Sequence, residues 1–484
     1  MGTKAHTNKG MILVLACAAQ FMVVLDVAVV NVALPSIQHD LGIGKSTLQW
    51  IIIAYGLMLG GFLLLGGRMA DLLGRRRMLV TGLTLFSSAS LLAGVAGSAG
   101  LLIGARALQG FGAALIPPAA LSILAVTFAE GAERNRALGL YGAVTGVSGS
   151  VGVLASGLLT EGAGWHWIFR INVPIGILLI AMAAVFLPVD AGRRRRSERF
   201  DVAGAVTVTG GLLLLVYALS HGAEHGWDSG STLGLFAASV ALLSVFVGIE
   251  ARSRSPLVPG SAIRNRTLVA ANLSSFSTFG AFFAFIFLGS LLMQQVLGYS
   301  PTQTGVAWLA TTATSVVAAG ITGGKLVALV GVRRLLVAGQ SLLAISVLLL
   351  TRIPARGDFA TDLLPALLLA GVAGGMAAPA VQIGALSGVT QSMTGLASGL
   401  VETMREIGGA VGVAAVSTVL VSRGGVNAFH AAFWVIFAVA ALGALTAAIG
   451  FPRRTTQEIE PEPAPSDVSI GTDRKTPTET RLRS

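Results

Sequence analysis

Two charged residues lie within apolar stretches of the N-terminal part of the chain. Asp26 lies in the stretch 11–35 and Arg106 in the stretch 101–126. A charge in the hydrocarbon core of a bilayer costs roughly 2.5–3.5 kcal/mol on insertion scales, and it therefore indicates a function. A carboxylate near a cation can bind and release a proton when its exposure to water changes. We interpret Asp26 and Arg106 as a candidate proton-coupling pair; a static ion pair that joins two helices is the alternative.

A second charged group lies in the apolar stretch 397–421. Glu402 and Glu406 are four residues apart and share one face of a helix, and Arg405 follows Glu402 by three residues. The apolar run after Glu406 is too short to leave all three side chains in water, so they lie within the membrane. The group is a candidate functional site, and local neutralisation of Glu402 by Arg405 is the alternative.

These charges need helices long enough to cross a bilayer, and the composition indicates many of them. Of the 484 residues, 54% are hydrophobic and 11% are charged, whereas a soluble domain carries roughly 25% charged residues. Apolar stretches of about 18 residues or more recur from end to end. We therefore predict an all-α integral membrane protein with fourteen transmembrane helices. They are predicted at residues 11–35, 48–66, 78–98, 101–126, 137–160, 167–187, 201–221, 233–250, 268–296, 303–324, 332–351, 362–387, 397–421 and 428–450.

The basic residues orient these helices. With the N-terminus in the cytoplasm, 26 lysines and arginines fall in cytoplasmic segments and only four fall outside, which satisfies the positive-inside rule. We predict a multi-pass protein of the cell membrane with both termini in the cytoplasm. The net charge of +11 then reflects topology and not nucleic-acid binding. Asp26 would lie roughly 22 Å along its helix, at a depth similar to that of Arg106, so the two can pair.

The chain contains an internal repeat. Residues 66–77 read GGRMADLLGRRR and residues 323–334 read GGKLVALVGVRR, with the aligned glycines 257 residues apart. Many transporters build a midplane site from such repeated halves, although a chance match between glycine-rich stretches is the alternative. The predicted parts are a cytoplasmic N-terminus (1–10), an N-terminal six-helix bundle (11–190), an inserted helix pair (200–250), a C-terminal six-helix bundle (265–451) and a disordered cytoplasmic tail (452–484).

Four motifs carry a resemblance to a known family. Residues 67–77 (GRMADLLGRRR) resemble the cytoplasmic loop signature of the major facilitator superfamily. The motif Leu25-Asp26 through 31–35 (NVALP) resembles the first-helix signature of its fourteen-helix drug:proton antiporter group, the EmrB/QacA type. Residues 106–114 are similar to the fourth-helix signature, and residues 165–176 to the segment that opens helix six. The resemblance implies the major facilitator fold, with two six-helix bundles and two inserted transmembrane helices.

The resemblance also implies a function. It predicts a transporter, not an enzyme, that exports amphipathic small molecules, cationic ones among them, in exchange for protons by alternating access. The proton gradient supplies the energy, no cofactor or metal is expected, and we expect a monomer in the lipid bilayer without a nucleic-acid partner. The expected substrate-binding residues are Asn31, Tyr55, Glu402, Arg405 and Glu406. The expected gate, which joins the two halves on the cytoplasmic side, consists of Gly67, Asp71, Gly74, Arg75 and Arg76.

The fifth-helix antiporter signature is kept only in part. Its glycines correspond to Gly142, Gly146, Gly149, Gly152 and Gly157, but Val153 stands where a proline is expected. Because that signature separates antiporters from other members, a facilitator or importer on the same fold remains an alternative, as does a transporter-like sensor.

Overall fold

The protein is helical throughout the part that the structure, a computed structural model, describes. The described residues are 8–188, 201–253, 256–354, 357–422 and 426–452. The helices are α1 (Lys9–Leu41), α2 (Lys45–Leu73), α3 (Arg75–Ala93), α4 (Ala99–Thr127), α5 (Ala132–Ala163), α6 (Trp167–Arg170), α7 (Asn172–Phe186), α8 (Val202–His225), α9 (Gly230–Glu250), α10 (Gly260–Arg264), α11 (Arg266–Leu291), α12 (Pro301–Ile321), α13 (Val327–Leu350), α14 (Leu364–Leu386), α15 (Thr394–Ser422) and α16 (Val426–Gly450).

Short π-helical turns interrupt or extend some of these helices. They lie at Leu292–Val296, Thr322–Leu326 and Phe359–Leu363, and a single 3-10 turn at Gln391–Met393 precedes α15. Parts of the predicted plan, namely residues 1–7, residues 189–200 and the tail from residue 453, lie outside the described residues.

Hydrocarbon offers no hydrogen-bond partner to a peptide group, so a chain that crosses it must form helices or a closed barrel. In the described part of the chain, ten helical segments are long and apolar enough to span a membrane. The protein is therefore an all-α, multi-pass membrane protein, as predicted. The number of fourteen crossings stays a prediction.

The helices pack as two bundles with a helix pair between them in sequence. In the first bundle α4 packs against α2 and α3, and α1 packs against α5; in the second, α11 packs against α15 and α14 packs against α12 and α13. Small residues permit these close approaches, because lipid tails provide no hydrophobic drive for helix association. A Cβ added to Gly66, for example, would lie 2.6 Å from the Ala114 carbonyl oxygen.

The repeated turn has a similar backbone conformation in both bundles. Gly74, between α2 and α3, has a φ of 105° and Gly331, within α13, has a φ of 79°. Residues with a Cβ atom rarely adopt such positive φ angles, which explains a glycine at both positions. The chain breaks direction at Gly331, so α13 begins with a short arm before its long membrane-spanning part.

The inserted pair α8 and α9 touches both bundles. On the first bundle, α8 packs so closely on α2 that a Cβ on Gly61 would lie 2.6 Å from the Leu213 side chain. On the second, the Trp227 indole N–H donates a hydrogen bond of 2.5 Å to Thr418 Oγ1 of α15. The pair therefore lies along the seam between α2 and α15.

Candidate functional site

Asp26 and Arg106 form an ion pair inside the first bundle. Arg106 Nη1 of α4 donates to Asp26 Oδ2 of α1 at 2.5 Å, and the two residues are 2% and 1% exposed. The other carboxylate oxygen accepts from Gln109 Nε2 at 2.7 Å and from Asn172 Nδ2 at 3.0 Å. The Asp26 carboxylate thus accepts hydrogen bonds from three side chains, and both of its oxygens have a donor.

The network extends from this pair into α2 and α3. Gln109 also accepts from Arg106 at 2.7 Å and donates to Ser90 Oγ of α3 at 2.8 Å. Arg106 Nε donates to the Ile51 carbonyl oxygen at 3.2 Å. Sequence reasoning missed Gln109 and Ser90. Gln109 follows Arg106 by three residues, so helical spacing alone placed both on one face.

Two other predicted residues lie on the helices that carry this network. The Tyr55 ring of α2 packs 4.1 Å from the guanidinium carbon of Arg106, a cation–π contact. The Tyr55 hydroxyl donates to the Val23 carbonyl oxygen of α1 at 3.5 Å. Asn31 lies in α1, but its side chain is outside the part of the structure that is described.

Glu402, Arg405 and Glu406 form a second buried charged group on α15. Arg405 Nη2 donates to Glu406 Oε1 at 2.7 Å, and Arg405 Nη1 lies 2.5 Å from Glu402 Oε2. Within the described chain, this last pair of atoms lacks hydrogen-bond geometry and neither atom has another hydrogen-bond partner. Glu402 is 1% exposed, whereas the Glu406 side chain is 24% exposed. Arg405 therefore pairs with both acids, and the Glu402 carboxylate accepts fewer hydrogen bonds than the Asp26 carboxylate.

The second group faces the first bundle. Tyr141 of α5 lies within electrostatic range of Glu402 and Arg405, and its hydroxyl donates to Gln20 Oε1 of α1 at 2.8 Å. From the second bundle, the Phe279 ring of α11 lies 5.8 Å from the Arg405 guanidinium carbon. Sequence reasoning missed Tyr141 and Gln20, which are single polar residues in apolar stretches without a distinctive spacing.

Asp71 joins the two bundles at one end, which is called the Asp71 end below. Its carboxylate accepts from the backbone N–H groups of Gly395 at 2.9 Å and Leu396 at 2.8 Å, in the first turn of α15. A carboxylate is favourable there because the first N–H groups of a helix lack partners within it and carry a partial positive charge. Gly67 packs directly on the backbone of Gly395.

Arg75 adds side-chain contacts to the same end. It lies 3.7 Å from Asp71, donates to Ser122 Oγ of α4 at 2.6 Å and reaches across to Thr394 Oγ1 at 3.1 Å. Arg76 instead donates to the Ala184 carbonyl oxygen of α7 at 2.9 Å, within the first bundle. The predicted gate residues thus lie together, with Gly67, Asp71 and Arg75 at the contact between bundles.

A further ion pair lies on the rim of the Asp71 end. Lys9 Nζ donates to Glu133 Oε1 at 2.8 Å, which ties the start of α1 to the start of α5. This hydrogen bond, with a second from the Ala129 N–H, lowers the pKa of the exposed Glu133 carboxyl. Both partners belong to the first bundle, so the pair does not cross between the bundles.

The glycines predicted on the fifth helix lie on different sides of α5. A Cβ on Gly142 would lie 3.2 Å from Pro379 of α14 in the second bundle, and one on Gly152 would lie 2.7 Å from Ala28 Cβ of α1. The surroundings of Gly146, Gly149 and Gly157 lie outside the described part of the chain.

Comparisons with known proteins identify the family of the chain. A family model described as Major Facilitator Superfamily matches residues 16–287 and 270–482. The puromycin resistance protein pur8 of Streptomyces alboniger is 40% identical over 414 residues, which cover 84% of this chain and 81% of the relative. The cephamycin export protein CmcT of Amycolatopsis lactamdurans is 38% identical over 411 residues, which cover 84% of each chain.

A solved structure extends the likeness to the fold. The human organic anion transporter MFSD10 (TETRAN) superposes with a TM-score of 0.67 over 91% of this chain and 99% of that one, at 16% identity. At that identity the likeness concerns the fold alone. The family match covers most of the sequence and confirms the resemblance indicated by the motifs. The chain therefore belongs to the Major Facilitator Superfamily, in the drug:proton antiporter group that its motifs predicted, and it is a transporter rather than an enzyme.

Proposed function

We propose that the protein exports amphipathic drugs or natural products across the cell membrane in exchange for protons, by alternating access. Relatives named for puromycin resistance and cephamycin export support efflux of natural products. The observation that carries alternating access is the contact between bundles at the Asp71 end. The hydrogen bonds from the Gly395 and Leu396 N–H groups to the Asp71 carboxylate join α15 to α2. They must break before the bundles can separate at that end.

Proton coupling is assigned to Asp26 and Arg106. A carboxylate paired with a guanidinium inside a bundle can exchange a proton when rocking changes its water access. The pair lies on α1 and α4, and the Tyr55 ring packs on the Arg106 guanidinium. The proton gradient is the proposed energy source, and no cofactor is invoked.

The second charged group supports a substrate role. With both carboxyls ionised, Glu402, Arg405 and Glu406 together carry one net negative charge, so one proton or one monovalent cation would neutralise the group. That stoichiometry suits an exchange of a cationic substrate for a proton. Phe279 and Tyr141 provide apolar and aromatic surface next to the charges, as an amphipathic molecule requires.

We also infer fourteen crossings with both termini in the cytoplasm, so that the Asp71 end faces the cytoplasm. One continuous helical segment, Thr302–Leu350, is 49 residues long, which is roughly 70 Å at full helical rise and more than twice a bilayer core of about 30 Å. The break at Gly331 divides it into two crossings. With α3, α5 and α15 this count reaches fourteen, and a monomer is the proposed functional unit.

The test is transport by the purified protein in liposomes. A pH gradient is imposed in either direction, and a panel of cationic and neutral amphipathic compounds is followed by fluorescence or radioactivity. Antiport predicts uphill movement of substrate against the proton flow in both directions of the gradient. Movement down the substrate gradient, unaffected by the pH gradient, would identify a facilitator and contradict the proposal.

Glu402→Gln tests the substrate role within the same assay. It is expected to reduce efflux of cationic compounds at least tenfold, because about 1.4 kcal/mol of lost interaction corresponds to a factor of ten, and to spare neutral compounds. Glu130→Gln is the matched control, since Glu130 is exposed and pairs with Arg134 on the rim. Equal loss of cationic and neutral efflux in Glu402→Gln would count against a substrate role.

A further inference from the structure

Residues 165–176, the segment that opens helix six, contain a buried asparagine that the proposed function does not use. Asn172 is 0% exposed and is the first residue of α7. Its Nδ2 atom donates to Asp26 Oδ1 of α1 at 3.0 Å. The Arg106 and Gln109 side chains, which also donate to Asp26, both lie on α4. Among the described residues, Asn172 is thus the only side-chain donor to Asp26 that does not come from α4.

The Asp26 carboxylate determines which end of the Asn172 amide faces it. An ionised carboxylate can only accept hydrogen bonds, so an amide turned over would place one acceptor against another. In the orientation seen, Asn172 Oδ1 is buried and has no hydrogen-bond partner among the described residues. A buried acceptor without a donor costs stability. The packing of α7 alone would not require this amide, and the contact of its Nδ2 atom with Asp26 accounts for it.

Two other residues of the same segment hold the asparagine in place. The Trp165 indole N–H donates to Asp40 Oδ2 in the last turn of α1 at 2.9 Å. A Cβ added to Gly176 would overlap the Ser87 hydroxyl of α3, so α7 packs closely on α3 there. Trp165 lies seven residues before Asn172 and Gly176 lies four residues after it. The amide is therefore held between a contact with α1 and a contact with α3.

We propose that Asn172 is a positioning residue that sets how readily Asp26 binds a proton. This role presupposes the proton-coupling role proposed for Asp26. A hydrogen bond donated to an ionised carboxylate stabilises the ionised form, because a proton on the same oxygen competes with the donor. A shift of α7 relative to α1 would remove the Asn172 donor and leave the two donors of α4. Asp26 would then bind a proton more readily.

The charged and titratable side chains that face Asp26 come from α4 and α2. Arg106 of α4 pairs with Asp26 and cannot lose its proton, and the Tyr55 ring of α2 packs on that guanidinium. The other helices packed around this level of α1 present neutral residues in the described chain, namely Ser90 of α3, Gly152 of α5 and Asn172 of α7. An apolar residue in place of Asn172 therefore removes one donor and changes no charge.

The test is infrared spectroscopy of the purified protein in lipid, where a protonated carboxyl group gives its own C=O band. Asp26→Asn identifies the part of that band that belongs to Asp26. Asn172→Leu removes the donor and keeps a similar volume. It is expected to raise the ratio of protonated to ionised Asp26 about tenfold, at a pH at which the parent is mostly ionised, because hydrogen bonds to charged groups are among the strongest.

Asn272→Leu is the matched control. Asn272 lies on α11 in the second bundle, and its Nδ2 atom donates to the Leu268 carbonyl oxygen at 2.8 Å. Its Oδ1 atom, like that of Asn172, is buried without a hydrogen-bond partner in the described chain. The control thus removes an amide of the same chemistry without touching Asp26. An Asp26 band that is the same in Asn172→Leu and Asn272→Leu, or absent from both, would overturn the proposal.

Asn172→Val is a second variant for the case in which leucine is too long for the site. It is expected to change the Asp26 band in the same direction, and Asn272→Val is its control. Thermal unfolding reports which variants are folded. Loss of folding in both Asn172 variants, with both Asn272 variants folded, would assign the amide to stability and overturn the proposal.

The spectra separate this inference from the proposed function, because they need neither substrate nor a pH gradient. A changed Asp26 band in a protein that shows no antiport in liposomes would support the role of Asn172 and count against proton exchange. An unchanged band in a protein that does exchange protons would overturn the role of Asn172 alone.

Discussion

Asp26→Asn tests whether the buried pair of the first bundle holds the fold, couples to protons, or does both. The substitution removes the negative charge beside Arg106, which is 2% exposed. The arginine would keep its contacts to Gln109 and to the Ile51 carbonyl oxygen, and neither carries a charge. Loss of one member of a buried ion pair typically costs about 3–5 kcal/mol. The amide oxygen of asparagine still accepts a hydrogen bond, so we expect about 3 kcal/mol.

The double variant Asp26→Asn with Arg106→Gln separates the roles. It removes both charges and is expected to recover most of the lost stability, leaving a deficit of about 1 kcal/mol. Unfolding in mixed detergent gives the free energies, and liposomes with an imposed pH gradient give the transport rate. Asp40→Asn is the control. Asp40 lies in the last turn of α1, away from the buried pair, and its carboxylate accepts a hydrogen bond from the Trp165 indole N–H at 2.9 Å.

A proton-coupling role predicts that the double variant regains stability but not transport driven by the pH gradient. A purely structural role predicts that transport returns with stability. Wild-type transport by the double variant would therefore refute proton coupling at Asp26. An Asp26→Asn protein as stable as the parent would refute the energetic reasoning, because the structure shows a carboxylate with three side-chain donors.

Two further changes probe contacts that other parts of the protein make with α15. Asp71→Asn removes the negative charge of the carboxylate that accepts from the N–H groups of Gly395 and Leu396. Because charge-assisted hydrogen bonds are worth about 1.5–3 kcal/mol, the substitution is expected to raise the fraction of molecules with separated bundles roughly tenfold. With one spin label on each bundle at the Asp71 end, a distance distribution unchanged from that of the parent would contradict this expectation. Trp227→Phe keeps the aromatic packing but removes the hydrogen bond to Thr418, and it is expected to lower the free energy of unfolding by about 1 kcal/mol. A Trp227→Phe protein with unaltered thermal unfolding would show that this bond does not hold the inserted pair.

The fold class and the pairing of Asp26 with Arg106 followed from one-dimensional rules. Hydrocarbon forces helices, basic residues report their orientation, and a rise of about 1.5 Å per residue converts position into depth. Depth alone placed the two charges at one level. It could not identify Asn172 or Ser90, because these polar residues join the network through the packing of α7 and α3, which leaves no periodic signal in an apolar stretch.

The gate shows a different limit. The motif indicated Asp71 and Arg75, but apart from the Thr394 hydroxyl their partners at the start of α15 are backbone groups, namely two N–H groups for Asp71 and the Gln391 carbonyl oxygen for Arg75. Backbone groups have no residue identity, so a sequence motif cannot reveal them. The repeats align Gly67 with Gly324, yet the glycine that packs on Gly139 of the first bundle is Gly323, in a π-helical turn. That turn has no signature in hydropathy or in the order of residue types.

The two buried carboxylates also differ in a way that composition cannot express. Asp26 accepts from three side chains of its own bundle, and a proton on either oxygen would compete with the donors to that oxygen. Glu402 is equally buried, but within the described residues its Oε2 atom has an ion-pair neighbour without hydrogen-bond geometry. It also faces the other bundle, near Tyr141. A change in the separation of the bundles therefore alters the surroundings of Glu402 directly. It changes the surroundings of Asp26 only if α1 or α4 moves. For this reason the double variant at Asp26 and Arg106 and the Glu402→Gln variant must be measured in the same liposome assay.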